Sequence, residues 1–200
     1  MTLKTKFTEL LHVDFPIIMA PMFLVSDLNM VKAAMKSGIV GTFPTLNYRN
    51  ENDLGNVLSE INKFYQTGEN KGSYGVNIIV QRSNPYYEKH LKICTDHRVP
   101  FYISSLGNPK ELIEEVHKYG AKVFCDVTNL KFAEKAYNAG ADGLIAVTQG
   151  AGGHAGPEPM HILLPALKEK FKNIPIIAAG GISTGKIMHA AFILGADGVS

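Results

Sequence analysis

Tryptophan is absent from this chain, and cysteine occurs only twice, at Cys94 and Cys125, in 200 residues. Two unpatterned cysteines make no disulfide framework and fit a reducing compartment. Cys125 lies in the apolar run Val123-Phe124-Cys125 and reads as inert core filling. Cys94 falls on a predicted helix and has no partner signature. An excess of charge is lacking too. The 20 Lys and Arg against 18 Asp and Glu leave a net charge of +2, and the cations are scattered. That gives no electrostatic footprint for nucleic acid. No apolar run is long enough to span a bilayer. The N-terminal stretch carries Lys4, Lys6 and Glu9 and has no apolar core of the signal-peptide kind. The histidines are dispersed, with no pair at metal-ligand spacing. The expectation is a cytoplasmic protein that takes no metal, nucleic acid or membrane as partner.

What is present is ordinary globular material, 46% hydrophobic and 19% charged. This is enough for one domain over 1–200 with a substantial core. Short β-branched runs alternate with amphipathic stretches. The strand candidates are Ile17–Ala20, Ile39–Thr42, Tyr74–Ile79, Phe101–Ser104, Lys122–Cys125, Leu144–Val147, Ile174–Ala178 and the terminal Gly198-Val199-Ser200. Helical spacing places Leu112, Ile113, Val116 and Tyr119 on one face between Asn108-Pro109 and Gly120. It does the same for Phe132, Ala133, Ala136 and Tyr137 before Gly140. A third face carries Ile187, Met188, Ala191 and Phe192, after Ser183-Thr184 and before Gly195. A phrase recurs at Gly120-Ala121-Lys122-Val123, Gly140-Ala141-Asp142-Gly143 and Gly195-Ala196-Asp197-Gly198, each time turning a helix into a strand.

Alternating β and α elements imply a parallel sheet. Eight strand candidates predict a closed (β/α)₈ TIM barrel, with a doubly wound open sheet as the alternative. The eighth strand is only begun at Ser200. A barrel wants that strand completed and covered, so the expectation is a chain truncated within or just after it.

In such a barrel the active site forms at the C-terminal ends of the strands. There the chain places Thr148-Gln149-Gly150-Ala151-Gly152-Gly153-His154-Ala155-Gly156, directly after Leu144–Val147. Glycine allows backbone to approach a ligand closely, and the imidazole is the side chain whose proton moves most easily near neutral pH. His154 reads as functional, against the plainer alternative of a loop histidine bonding a carbonyl. The other histidines, His12, His90, His97, His117, His161 and His189, read as solvated. Asn77, an amide inside a buried strand, demands hydrogen-bond partners. Ala179-Gly180-Gly181-Ile182-Ser183 precedes a helix start and reads either as a phosphate site or as a tight turn. Pro21 and Met22, taken alone, read as turn and core. Gly150-x-Gly152-x-x-Ala155 fits a dinucleotide fingerprint by letter only. Gly156-Pro157 follows where a helix should open, and Glu169 lies on a helical face.

The combination of Pro16-Ile17-Ile18-Met19-Ala20-Pro21-Met22, Gly75-Val76-Asn77, Gln149-Gly150-Ala151-Gly152-Gly153-His154 and Ala178-Ala179-Gly180-Gly181-Ile182 resembles the nitronate monooxygenase (2-nitropropane dioxygenase) family. That family is related to the FMN-dependent enoyl-acyl-carrier-protein reductase. The resemblance runs from about Phe15 to the last residue. It implies a flavoprotein with FMN across the barrel mouth, oxidising alkyl nitronates with O₂. By analogy Ala20, Pro21 and Met22 would line the flavin through backbone, and Asn77 and Gln149 would bind it by side chain. Gly152 would permit its approach, Gly180 and Gly181 would hold its phosphate, and His154 would act as the base or proton donor. The alternatives are an NAD(P)H-dependent enoyl-thioester reductase on the same barrel and a non-catalytic remnant. A homodimer is left open. The chain departs from the family pattern where Gln149-Gly150 runs straight into Ala151-Gly152, two residues short and without the family's glutamate. The family's Gly-Thr phosphate contact and its substrate-covering segment would lie beyond Ser200.

Overall fold

A computed structural model describes residues 3–68 and 71–200. Its strands are β1 (Ile18–Met19), β2 (Val40–Pro44), β3 (Ser73–Ile79), β4 (Phe101–Ser105), β5 (Lys122–Val127), β6 (Gly143–Val147), β7 (Ile176–Ala179) and β8 (Gly198–Val199). The helices are α1 (Lys6–Leu11), α2 (Leu28–Lys36), α3 (Glu51–Gln66), α4 (Tyr87–Asp96), α5 (Lys110–His117), α6 (Leu130–Asn138), α7 (Met160–Lys170) and α8 (Gly185–Ile193). Every strand pairs in parallel with the next, in the order β1 to β8. A parallel bridge from Ile17 to Val199, with Val199 N–H donating to Pro16 O at 2.9 Å, returns β8 to the start of β1. The sheet is therefore a (β/α)₈ barrel, and the open-sheet alternative fails because its first and last strands meet.

The barrel interior is filled by aromatic rings against glycines. On β4 and β5, Phe101 and Phe124 point inward and meet edge-on at 5.1 Å between centroids. Gly75 on β3 and Gly143 on β6 make the room. A Cβ on Gly75 would stand 2.6 Å from Phe101, and one on Gly143 would stand 2.5 Å from Phe124. Phe7 of α1 plugs the same space from the N-terminal end, 6.0 Å from Phe124. This short helix carries too few turns for periodicity to reveal. It is held by a capping box in which Thr5 and Thr8 satisfy each other's backbone N–H. Outward-facing residues such as Tyr74, Val76, Tyr102 and Val123 form a second apolar layer with the helices.

The recurring glycine phrase has a physical reading. Gly140 and Gly195 adopt φ of 97° and 103°, left-handed backbone that ends α6 and α8. The aspartate two residues on then bonds an adjacent strand. Asp142 accepts from Val123 N–H at 2.9 Å, and Asp197 accepts from Ile176 N–H at 3.0 Å. Each carboxylate also meets a cation, Lys122 at Asp142 and Lys168 at Asp197, and Asp142 hydrogen-bonds the His117 ring as well. In the first copy Lys122 stands at the aspartate's position and supplies one of those cations.

Both cysteines are buried and free. One histidine corrects the sequence reading. His90 is buried, 1% exposed, and stacks on Tyr86 at 5.5 Å. Its charged neighbours Glu88, Lys89 and Lys92 suggested solvent, but its helical phase with Leu91 and Cys94 turns it toward the sheet. Among the described residues, no helix is long and apolar enough to cross a membrane.

Candidate functional site at the barrel mouth

Strand alternation places one residue in two on the inner face. Two positions beyond the ring layer of Gly75, Ile103 and Phe124 bring the chain to Asn77, Ser105 and Asp126, at the C-terminal ends of β3, β4 and β5. Asn77 pairs with Ile103, and its Nδ2 donates to Ile103 O at 3.1 Å and to Ser105 Oγ at 2.7 Å. Ser104 pairs with Cys125, which sets Ser105 beside Asp126. Ser105 Oγ donates to Asp126 Oδ2 at 2.5 Å, the length of a charge-assisted bond. Burial pushes the Asp126 carboxyl up from 3.8 to about 6, against the opposing pull of the Ser105 bond. Asp126 keeps a little solvent access, and no ion pair among the described residues reaches it.

The demand that Asn77 be partnered is thus met. Ser105 and Asp126 were missed, because the strand candidates stop one residue short of each. An aspartate two places after an inward phenylalanine was the available signal.

The loops after β6 and β7 are locked together by their main chains. Thr148, 2% exposed, donates to Ala179 O from both its N–H (2.9 Å) and its Oγ1 (3.0 Å). Gly180 has a φ of +123°, and a Cβ there would stand 2.4 Å from Thr148 Oγ1 and 2.7 Å from Ala151 N. Such positions are closed to other residues. Among the described residues, none of the backbone hydrogen bonds outside regular elements uses the N–H of Gly180, Gly181 or Ile182. These amides adjoin the start of α8, whose cap is Thr184, bonded by Ile187 N–H at 3.3 Å.

Gly152 differs from Gly180. Nothing lies within 4 Å of a Cβ built there. The protein's own packing therefore does not require glycine at that position. Gln149 and His154 are exposed on this loop, and neither side chain makes a hydrogen bond among the described residues. The backbone of Gln149 is held by Glu158 O at 3.0 Å.

The loop after β1 is stapled from within. Ser26, fully buried, donates to Ala20 O at 3.1 Å and accepts from Met22 N–H at 3.0 Å. Asn47 bonds Ser26 O and Leu24 N–H. The Met22 carbonyl accepts from Val25 N–H at 3.1 Å and Ser26 N–H at 3.0 Å, so both backbone groups of Met22 and the Ala20 carbonyl are engaged within the loop. Met22 is 39% exposed and continues into exposed Phe23, Leu24 and Val25. No cluster of three or more metal-ligating side chains occurs among the described residues.

The architecture is that of a parallel barrel with the glycine loops and the exposed side chains of Gln149 and His154 at one mouth, where enzymes of this fold class bind substrate. Residues 4–200 match the family model described as nitronate monooxygenase, and the chain belongs to that family. It is 29% identical, over 202 positions, to an octahydro-indene-carboxyl-CoA dehydrogenase of Mycobacterium tuberculosis, covering all of this chain and 55% of the relative. It is 27% identical, over 240 positions, to a probable nitronate monooxygenase of Staphylococcus aureus, covering 98% of this chain and 66% of that one. The structure of FabK from Thermotoga maritima superposes with a TM-score of 0.88 at 33% identity, over 99% of this chain and 61% of FabK. The chain thus spans a little over half the length of the dehydrogenase it matches.

Proposed function

We propose that this chain binds FMN across the barrel mouth and oxidises alkyl nitronates, with O₂ as the electron acceptor. The observation that carries the reading is Gly152. The loop bearing His154 is pinned to the β7 loop by Thr148, yet it leaves space at Gly152 that the protein does not fill. Asn77 and Gln149 would hold the flavin by side chain, and Ala20, Pro21 and Met22 would line it. The amides of Gly180 and Gly181, with the N-terminus of α8, would take its phosphate. Bound there, the flavin supplies the acceptor for electrons leaving the substrate carbon. The chain's own contribution is position and proton transfer. An imidazole nitrogen of His154 takes the acidic C–H proton of a neutral nitroalkane, or stabilises the anion when nitronate arrives ready-made. We place the protein in the cytoplasm.

A second reading has its own support. The alignment with the CoA-thioester dehydrogenase runs over 202 positions, close to the length of this chain, whereas that with the nitronate monooxygenase needs 240. A thioester also acidifies its α-carbon, so the same base and the same acceptor would serve. FabK supports the third reading, reduction of an enoyl thioester by NAD(P)H.

One experiment separates these. The visible spectrum of the purified chain is recorded and the chromophore released by heat is identified. The bound flavin is then mixed anaerobically with a nitronate, an acyl-CoA or NADH. Bleaching by nitronate and recovery in air is the expected result. Bleaching only by the thioester or only by NADH selects the corresponding alternative. A colourless, cooperatively folded chain that takes up no added FMN overturns the proposal and leaves a non-catalytic barrel.

A further inference from the structure

We infer that Ser105 and Asp126 are positioning residues that fix the amide of Asn77 so that it presents its oxygen, a hydrogen-bond acceptor, to whatever binds at the barrel mouth. The order of donors runs in one direction. A carboxylate can only accept, so Ser105 must spend its single O–H proton on Asp126 Oδ2. Its oxygen is then left as an acceptor, and Asn77 Nδ2 fills it. The carbonyl of Ile103 takes the second Nδ2 proton. Both donors of the amide are consumed by the barrel wall, and neither bond uses Oδ1. With the chain set this way, the Asn77 side chain favours a ligand N–H, such as the imide N–H of a flavin ring, and not a phosphate or carbonyl oxygen.

The relay depends on the charge of Asp126. When that carboxyl binds a proton it becomes a donor toward Ser105 Oγ, and the Ser105 proton is released from its duty. Ser105 then no longer offers its oxygen to Asn77 alone, and the amide is held on that side by Ile103 only. The titratable neighbour on the same strand is Cys125, whose thiol burial pushes up to about 12. It stays neutral throughout the range in which Asp126 changes state. Ile145, across on β6, brings no charge. The loss of the relay should therefore follow one group.

The inference rests on the proposed function only for the identity of the ligand, and the first test uses the full chain without any. The side-chain NH₂ signals of Asn77 and the carboxyl carbon of Asp126 are followed by NMR from pH 4 to 8. The two are expected to move with one midpoint, and Asp126→Asn is expected to abolish the pH response at Asn77. In Ser105→Ala the Asp126 carbon still titrates while Asn77 no longer follows, and Ser105→Thr restores the coupling. An Asn77 signal that ignores the titration of Asp126, or that follows it equally well in Ser105→Ala, overturns the relay. A second arm measures FMN affinity above the Asp126 midpoint. Ser105→Ala is expected to bind about 5-fold more weakly, one ordinary hydrogen bond's worth, and Ser105→Thr within 2-fold of the parent. Absence of FMN binding in the parent would count against the proposed function, while the NMR result would still decide the relay.

Discussion

Asp142 and Asp197 at the foot of the barrel and Asp126 at its mouth are treated in opposite ways. The two lower aspartates each accept a backbone N–H and face a cation, Lys122 in one case and Lys168 in the other. Asp126 is enclosed but, among the described residues, its side chain bonds only a serine hydroxyl, and its carboxyl is pushed up to about 6. Burying a charge is costly unless it is paired. At the foot that cost is met, and the aspartates tie strands together. At the mouth it is left standing. Among the mouth's other polar groups, Gln149 and His154 make no side-chain hydrogen bond with the described residues, although Ser26 and Asn47, on the loops after β1 and β2 at the same end, are engaged in stapling a loop. In a parallel barrel this is the split between an end that stabilises and an end that acts. Substitutions at the two ends should therefore move different observables.

The largest effect is expected at His154. His154→Ala should lower turnover of the flavin-loaded chain by about 10²–10⁴-fold, the usual worth of a general base. Its thermal midpoint should stay unchanged, since the side chain is exposed and makes no hydrogen bond among the described residues. Parental turnover would remove His154 from the chemistry. A large loss of stability would show that the mouth also holds the fold together.

At the foot the expectation reverses. Asp197→Ala strips the buried Ile176 N–H of its acceptor and leaves Lys168 without a partner. An orphaned buried donor costs roughly 1–3 kcal/mol, and a partly exposed pair adds at most about 1. An unfolding free energy lowered by a total of about 1–4 kcal/mol, with FMN affinity kept, is the expected outcome. Asp197→Asn, which retains an oxygen for Ile176, should recover most of it. Equal losses in the two variants would mean that the ion pair, and not the strand contact, carries the effect.

Asp126 should respond with the other sign. Its folded pKa, about 6, lies above the ordinary 3.8. The folded state therefore holds the proton more tightly, and the associated stability is complete below the unfolded pKa and lost as pH rises through the folded one. Asp126→Asn does not undergo that loss. The variant should gain on the parent between about pH 4 and pH 6 and keep its advantage at pH 7. The full shift would be worth roughly 3 kcal/mol; residual solvent access at the mouth brings the expectation to about 1–2. Unfolding curves for both chains at pH 4 and pH 7 check this, and a gap that fails to widen would mean that Asp126 is better solvated than its surroundings suggest.

How much of this the sequence discloses depends on the kind of signal. All eight strands and their parallel order follow from β-branched runs alternating with capped amphipathic helices. The barrel, rather than an open sheet, follows from their number. Local rules give these features because each is repeated along the chain. The glycine loop with His154, and Asn77, stand out because polar or small residues interrupt an apolar pattern. Ser105 and Asp126 do not stand out. Each is the last residue or nearly the last of a strand, and their partnership exists only through the register of β4 with β5. His90 fails for a related reason, since its neighbours in sequence are charged while in space it stacks on Tyr86 and shares the buried face of Leu91 and Cys94. The α1 plug needs Phe7 to find Phe124 across the barrel. Long-range contacts of this kind leave no periodic trace.

The finest test of the division between residues that hold the fold and residues left open lies within the mouth itself, at Gly152 and Gly180. A methyl group on Gly180 would collide with Thr148 Oγ1 and the Ala151 amide in a left-handed backbone, so Gly180→Ala should destabilise the chain by about 1–3 kcal/mol. At Gly152 the same methyl meets nothing within 4 Å, and stability should change by less than about 0.5 kcal/mol. If that space is reserved for a ligand, the cost of Gly152→Ala appears only when FMN is added, as an affinity loss beside an unaltered unfolding midpoint. Parental affinity in Gly152→Ala would mean that the glycine serves neither packing nor binding, and the reading of the open space as the flavin's would fall. A loss of affinity in Gly152→Ala, set against a loss of stability in Gly180→Ala, would show that two glycines on adjoining loops are kept for different reasons. One allows the chain to meet itself, and the other allows it to meet something else.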